Sequence, residues 1–238
     1  MCGRFIAVSR VAAVAERLHV DEIRADDVAP DYNVTPRRDI LIAADTDEHV
    51  RVLDRARWGL VPPWADDPSI GDRMINARGD TIAEKPAYRR AFARRRCIIP
   101  VDGFYEWKAV PGRRTKQPVF IHAPDDTVLT FAGIYETWKP RNPNDSEEPI
   151  RIRSCAIVTT DANSTIAAVH NRMPVVLPEQ HWDAWLDPTN ADVESLQAML
   201  VPAPDDALVF HPVRTLVNKP QNNFAELLEP APPESLFE

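Results

Sequence analysis

Cys2, which directly follows Met1, has the most distinctive chemistry in this sequence. Methionine aminopeptidases remove an initiator methionine when the next residue is small, so we expect Cys2 to become N-terminal. Its α-amine would have a reference pKa of about 7.7–8.0, against about 10.4 for a lysine side chain. An aldehyde could form a Schiff base with this amine, and the adjacent thiol could close a thiazolidine ring. The alternative is an inert buried thiol, because free cysteine commonly behaves as a small hydrophobic residue.

Glu106 is a candidate proton carrier, placed between Tyr105 and Trp107 in the segment VDGFYEW. Flanking aromatic rings could exclude water from the carboxyl group and adapt it to general acid–base catalysis. Strand alternation favours a different interpretation, because consecutive side chains point to opposite faces. The two aromatics would then face the core and Glu106 the solvent.

Two further segments carry side chains suited to handling a phosphorylated substrate. His170 can carry a proton near neutral pH, and Arg172 could bind a phosphate. Asn76 and Arg78 share one face if their segment is extended, so they could orient an oxygen and grip a phosphate. Each residue also has a structural alternative, as a core histidine, a loop amide or a solvated arginine.

Aromatic and basic residues form a third group, because stacking rings interleaved with arginines suit single-stranded nucleic acid. The alternative is that the tryptophans are core residues and the arginine run is a solvated helix face. The group comprises Arg4, Trp58, Trp64, Trp107, Arg89, Arg90, Arg94, Arg95 and Arg96.

The net charge of −8 argues against an extended basic surface of the kind that phosphate binding favours. Acidic residues crowd towards both ends of the sequence, however, and arginines crowd within residues 89–96. This distribution is compatible with a local basic face on an acidic protein.

Three cysteines without short spacing fit neither a disulfide framework nor a zinc site. We expect Cys97 and Cys155 to be core residues. No apolar run approaches the roughly 20 residues of a membrane span, and Arg4 argues against a signal peptide. We expect a cytoplasmic protein, nucleoid-associated when bound to DNA, that is monomeric and needs neither metal nor cofactor.

The elements that must position these residues are predicted to be mainly strands, since 23 prolines against 7 glycines argue against an all-helical fold. Residues 31–39 are predicted to be a polar loop and residues 73–81 an irregular segment. Strands are predicted over 2–8, 40–44, 49–60, 97–101, 104–108, 119–122, 127–137, 150–160 and 209–213. Short helices are predicted over 10–19 with Ser9 as N-cap, after Pro86, after Pro178 and around 193–200.

This pattern predicts an α+β fold, with a mixed sheet closing into a barrel-like core and helices at its periphery. Composition shifts nowhere sharply enough to divide the chain. We expect a single domain over residues 2–228 and a loose tail over residues 229–238, with a polar loop at residues 139–149.

Seven segments together resemble the SOS-response-associated peptidase (SRAP) family of abasic-site processing proteins. The resemblance covers about residues 2–215 and implies one α+β domain with a β-barrel-like core. The segments, in the family's order, are MCGRF, YNVTP, RWGLVPPWA, INARGDT, RRRCIIPVDGFYEW, FAGIYETW and VHNRMPVVL.

The resemblance implies a role for each candidate catalytic residue. Cys2 resembles the nucleophile that crosslinks to the ring-opened sugar aldehyde of an abasic site. Asn76 resembles the residue that orients the cysteine and the sugar. Glu106 resembles the general acid–base of Schiff-base formation, and His170 the residue that assists sugar ring opening and crosslink reversal.

The resemblance also implies a DNA path, with Arg4, Arg78 and Arg172 on phosphates, Trp58 and Trp107 along the strand, and Thr159 near the lesion. Arg89 and Arg90 are both candidates for a further basic contact. Asp80 departs from the family pattern, which usually has glutamate at this position.

The sequence therefore predicts a sensor of abasic sites in single-stranded DNA that forms a covalent thiazolidine crosslink through Cys2. Self-processing peptidase activity and weak lyase activity are lesser expectations. Two alternatives remain. An N-terminal-nucleophile cysteine protease would use Cys2, Glu106 and His170 but would not need the surrounding arginines. A non-covalent single-strand-binding module would leave Cys2 inert.

Overall fold

The computed structural model describes residues 2–27, 29–140 and 151–232. The strands in these ranges are β1 Phe5–Ala7, β2 Glu22–Ile23, β3 Asp31–Val34, β4 Asp39–Asp45, β5 Arg51–Trp58, β6 Asn76–Arg78, β7 Arg96–Val101, β8 Gly103–Lys108, β9 Gln117–His122, β10 Leu129–Trp138, β11 Ile152–Asp161, β12 Arg172–Pro174 and β13 Val209–Pro212. The α-helices are α1 Val11–Arg17, α2 Arg89–Arg94, α3 Ser164–Ala167, α4 Trp182–Leu186 and α5 Val193–Ala198.

Five strands close into a barrel in the order β11, β10, β7, β4 and β5. Neighbouring strands in this order are antiparallel. The barrel closes where β5 pairs in parallel with β11, which aligns Trp58 with Cys155. The predicted single-domain α+β fold with a barrel-like core is confirmed.

Alternate residues of the barrel strands pack on its two sides. Ile99 of β7 points into a cluster with Phe131 and Cys155, whereas Ile98 joins a second cluster that includes residues of α1, α2, α4 and α5. Because both sides are covered, β7 is buried along its whole length and reads as a nearly continuous apolar run. Cys97 and Cys155 are fully buried, as expected.

A second sheet has the order β13, β9, β8, β1 and β3. One of its faces contributes Phe5 and Phe104 to the barrel cluster, and Cys2 belongs to the same cluster. Its other face carries Ile6 and Tyr105 in a separate cluster. The chain start is thus held between the second sheet and the barrel.

Four short strands were not expected from the sequence, namely β2, β3, β6 and β12. Residues 31–34 form β3 and pair with β1, so the predicted polar loop is wrong for this stretch. Residues 76–78 form β6 and pair in parallel with β11. The four unexpected strands are only two to four residues long, which is too short for alternation to reveal them.

The N-cap prediction for the first helix is also wrong, because Arg10 occupies the cap position of α1. The Ser9 hydroxyl instead donates to the Asp102 carboxylate. That carboxylate also accepts the backbone N–H groups of Val8 at 2.6 Å and Ser9 at 3.0 Å. A long-range contact has therefore replaced the local cap.

The predicted loose tail begins too early. Pro230 forms a bridge with Val213, and the Ala231 N–H donates to the Pro212 carbonyl at 2.8 Å. Residues 233–238 of the predicted tail and residues 141–149 of the predicted loop lie outside the described part of the chain.

Candidate active site

Cys2 is held by its backbone and has no exposed surface. The Asn76 side-chain amide donates to the Cys2 carbonyl at 2.8 Å. Asn76 begins β6, and the Trp58 indole N–H donates to the carbonyl of the preceding Ile75 at 2.9 Å. The barrel thereby sets the position of Asn76, and Asn76 sets that of Cys2.

Glu106 lies on the face of β8 that points towards Cys2, with only 4% of its surface exposed. Phe104, two residues earlier, packs in the cluster that contains Cys2, whereas Tyr105 packs on the opposite face. Burial and the nearby Glu106 carboxylate raise the pKa of the Cys2 thiol. The solvent-facing interpretation of Glu106 is therefore wrong, because this sheet has core on both faces.

His170 and Arg172 are joined at the turn that leads from α3 into β12. The Arg172 backbone N–H donates to His170 Nδ1 at 3.0 Å, so Nε2 carries the proton of the neutral ring. Arg172 Nη2 donates to the Thr159 carbonyl at 2.8 Å and lies 3.2 Å from its hydroxyl. Arg172 therefore connects the His170 ring to β11 through hydrogen bonds.

Arg78 lies at the same edge, because β6 pairs Arg78 with Thr159. Its Nε donates to Asp80 Oδ1 at 3.1 Å, and this contact raises the pKa of Arg78 and lowers that of Asp80. Arg172 Nη1 lies 3.3 Å from Asp161 Oδ1 and 3.9 Å from Asp80 Oδ2. Two arginines expected to contact phosphate are thus already paired with carboxylates.

Arg4 and Trp107 lie on the other face of the second sheet. Arg4 Nη1 donates to Asn33 Oδ1 at 2.6 Å and to the Val217 carbonyl at 2.9 Å. Its guanidinium carbon is 5.7 Å from the centre of the Trp107 ring, and that indole donates to Asn218 at 2.7 Å. The structure therefore separates this pair from the face that carries Cys2 and Glu106.

Trp58 does not line an open DNA path, because none of its surface is exposed. Its ring packs against Phe5 with 5.0 Å between ring centres. The expected DNA contact of Trp58 is therefore wrong. Trp58 instead has a structural role, because its indole holds the residue that precedes Asn76. Trp64, from the same RWGLVPPWA segment, is 47% exposed and offers a ring surface to solvent.

Arg89 and Arg90 are both exposed at the start of α2. Tyr88, immediately before them, donates its hydroxyl to the Asn76 carbonyl at 3.1 Å, which ties this helix end to β6. Arg90 lines a cavity of about 530 Å³ together with residues 45–48 and Tyr135. Cys2, Glu106 and His170 do not line that cavity.

Asn33 holds the candidate residue Arg4 in place, and the sequence alone did not single it out. Besides accepting from Arg4, its amide donates to the carbonyls of Lys219 at 3.1 Å and Asn222 at 2.8 Å. It is 3% exposed. Its place in the YNVTP segment was the available signal, but only the folded chain brings it next to residues 217–222.

In residues 2–27, 29–140 and 151–232, no group of three or more His, Cys, Asp or Glu side chains is placed to hold a metal ion. The helices of the same ranges are all too short or too polar to cross a bilayer.

The family model described as SOS response associated peptidase (SRAP) matches residues 1–220. Among named relatives, abasic site processing protein YoaM of Bacillus subtilis is 40% identical over 230 residues, covering 96% of this chain and 98% of its own. Abasic site processing protein HMCES of Rattus norvegicus is 31% identical over 277 residues, covering 97% of this chain and 76% of its own.

Solved structures show the same fold. A protein from Bacteroides thetaiotaomicron superimposes with a TM-score of 0.82 and 26% identity, covering 97% of this chain and 100% of its own. A phage-related protein of Bordetella bronchiseptica gives a TM-score of 0.68 with 29% identity, covering 90% of this chain and 94% of its own.

Proposed function

Because the chain belongs to the SOS response associated peptidase family, we propose that it processes abasic sites in single-stranded DNA through a covalent bond to Cys2. The observation that carries the proposal is that Cys2, held at its carbonyl by Asn76, lies close enough to the buried Glu106 carboxylate for its charge to raise the pKa of the thiol, which burial also raises. The name of these relatives, abasic site processing protein, supports the choice of substrate.

The reaction begins once Met1 has been removed. The Cys2 α-amine adds to the aldehyde of the opened sugar, and loss of water gives an imine. The thiol sulfur then adds to the imine carbon while its proton moves to nitrogen, which closes a thiazolidine ring. No oxidant, metal or cofactor enters this balance.

Two groups assist these steps. The buried Glu106 carboxylate takes a proton as the amine adds and returns it as water leaves. His170 Nε2, the nitrogen that carries the proton of the neutral ring, donates a hydrogen bond to the sugar ring oxygen. That oxygen gains the proton that the C1 hydroxyl loses as the ring opens to the aldehyde.

Asn76 can orient the sugar as well as Cys2. Its Oδ1 atom is buried and has no hydrogen-bond partner among the described residues. A buried acceptor in this state is costly, so a sugar hydroxyl that donates to it is stabilised. Abasic sites in single strands are preferred because extruding the lesion from a duplex costs unpairing energy.

The DNA strand reaches this centre along the edge formed by β6, β11 and β12. Arg78 and Arg172 bind backbone phosphates there, beside Thr159. The exposed ring of Trp64 offers a stacking surface for a base. Arg4 contacts phosphate from the far face of the second sheet, and Arg89 or Arg90 adds a contact from α2.

The test is to incubate Met1-free protein, verified by mass spectrometry, with an abasic single-stranded oligonucleotide and to separate the products under denaturing conditions. The wild-type protein should give a stable adduct without added reductant. Cys2→Ala keeps an α-amine but lacks the thiol, so its adduct should appear only after borohydride trapping. A stable Cys2→Ala adduct without borohydride would exclude the thiazolidine.

Self-processing and weak lyase activity follow from the same groups. Glu106 can assist removal of residues ahead of Cys2, and an imine that does not close its ring can decay by β-elimination. Cleavage of unrelated peptides by the wild-type protein, with no DNA adduct, would instead favour a general protease.

A further inference from the structure

Asp80 contacts Arg78 and Arg172, at the edge formed by β6, β11 and β12, with the geometry that a bound phosphate group would have. Its two carboxylate oxygens accept from Nε and Nη2 of Arg78. Its Oδ2 is also 3.9 Å from Arg172 Nη1. A guanidinium group binds carboxylate and phosphate in the same bidentate geometry. A phosphate therefore cannot bind Nε and Nη2 of Arg78 while Asp80 occupies these two donors.

Within the described part of the chain, Arg172 keeps one unsatisfied donor in the free protein, and its other contacts to anions are with carboxylates. The residue is 8% exposed, and its Nε is buried without a hydrogen-bond partner among the described residues. Its solvent side is covered by Asp80 and Asp161, whose side chains are 49% and 86% exposed. An anion approaching from solvent therefore meets these carboxylates first.

We propose that Asp80 is an internal phosphate surrogate, which occupies Arg78 and Arg172 in the free protein and is displaced by a backbone phosphate of the bound strand. This inference rests on the proposed function and deepens it. Each intact strand must displace the carboxylate to bind and is soon released. A strand with an abasic site is retained by the covalent bond, so Asp80 sharpens the distinction between damaged and intact DNA.

Displacement of Asp80 by a phosphate should change the salt dependence of DNA binding. A phosphate that neutralises a free arginine releases counterions, with a slope of about −0.7 per contact for single strands. A phosphate that replaces Asp80 causes a smaller net release of counterions, because the freed carboxylate binds a cation from solution. Exposed ion pairs are weak, so removing the competitor changes affinity only modestly.

The experiment measures binding of a short fluorescent, intact single strand by anisotropy over a series of KCl concentrations. Asp80→Asn should bind roughly two- to fivefold more tightly at low salt, with a slope steeper by about 0.7 for each arginine freed. Asp80→Glu keeps the carboxylate and should resemble wild type. Glu16→Gln, on the exposed side of α1, makes the same charge change and should also resemble wild type.

Equal or weaker binding by Asp80→Asn would overturn the inference, because it would mean that Asp80 orients Arg78 for phosphate instead of covering it. Equal tightening by Glu16→Gln would also overturn it, since net charge alone would then explain the effect. Thermal melting of each variant verifies folding. If Asp80→Asn loses stability, Asp80→Ser provides the same test.

The two proposals fail in different ways. Absence of a wild-type adduct with abasic DNA would reject the proposed function, and tighter binding of intact strands by Asp80→Asn would still support the surrogate. A normal wild-type adduct with unchanged intact-strand binding in Asp80→Asn would reject the surrogate alone.

Discussion

Among single residues, Glu106 and Cys2 impose opposing chemical requirements on each other. A buried carboxylate beside a thiol is useful for moving protons from an amine. The same charge and the same burial raise the thiol pKa, which keeps it as the neutral SH form at neutral pH. The amine is therefore the group that attacks first, and the thiol closes the ring afterwards.

Glu106→Gln should accordingly have opposite effects on two measurements. Crosslinking should slow by about 10²–10⁴-fold, the usual loss on removing a general acid–base group. Iodoacetamide alkylation of Cys2 at fixed pH should accelerate, because losing the negative charge lowers the Cys2 pKa and enlarges the thiolate fraction. Rates are read by quenched time courses and peptide mass spectrometry.

Cys97 and Cys155 give an internal control for the alkylation measurement. Both are fully buried, as Cys2 is, but the Glu106 carboxylate does not contribute to the raised pKa of either thiol. Their rates should therefore not change in Glu106→Gln. Slower alkylation of Cys2 in the variant would contradict the argument, as would equal acceleration at all three cysteines, which would indicate general loosening of the core.

At the scale of elements, the barrel interior determines how closely its strands approach each other. Gly133 of β10 pairs with Cys97 of β7 on one side and Ile157 of β11 on the other. A Cβ at Gly133 would lie 2.8 Å from the Cys97 sulfur and 2.9 Å from Ile99 side-chain carbons. The absence of a side chain at this position is what lets the interior close.

Gly133→Ala should therefore destabilise the fold by overpacking, by about 1–3 kcal/mol in the free energy of unfolding. Urea denaturation of the wild type and the variant measures the difference. In a Cys97→Ala background the same substitution should cost less, because the nearest atom has been removed. A penalty that is unchanged in that background would show that the sulfur is not the source of the strain.

At the scale of the whole molecule, an acidic protein with a net charge of −8 must bind DNA through a few placed cations. Arg78 and Arg172 are among these candidate cations, and both are paired with carboxylates in the free protein. Arg4 is shared with Asn33 and Trp107. Long-range attraction to DNA should therefore be weak, and retention should depend on the covalent bond.

The wild-type protein should bind intact single strands with a shallow salt dependence, with a slope no steeper than about −2 if three arginines each contribute about −0.7. Anisotropy titrations over a range of KCl concentrations measure it. A much steeper slope would mean that a larger basic surface takes part, and α2 offers one in Arg89 and Arg90. In that case Arg89→Ala and Arg90→Ala should each reduce the slope.

Local sequence patterns determined a large part of this architecture. The long strands β4, β5, β7, β10 and β11 follow from apolar runs and alternation, which are properties of neighbouring residues. The candidate chemistry also follows from residue types alone: an amine and a thiol together on Cys2 once Met1 is removed, a carboxylate at Glu106 and an imidazole at His170.

The arrangement of these residues depends on contacts that form only in the folded chain. The contact of β5 with β11 closes the barrel and buries Trp58, for which the family resemblance implied a place along DNA. Core on both sides of β8 turns Glu106 inwards, although alternation favoured solvent. Pairing of β6 with β11 brings Arg78 and Asp80 beside Arg172. These contacts join residues far apart in the chain, and local periodicity carries no information about them.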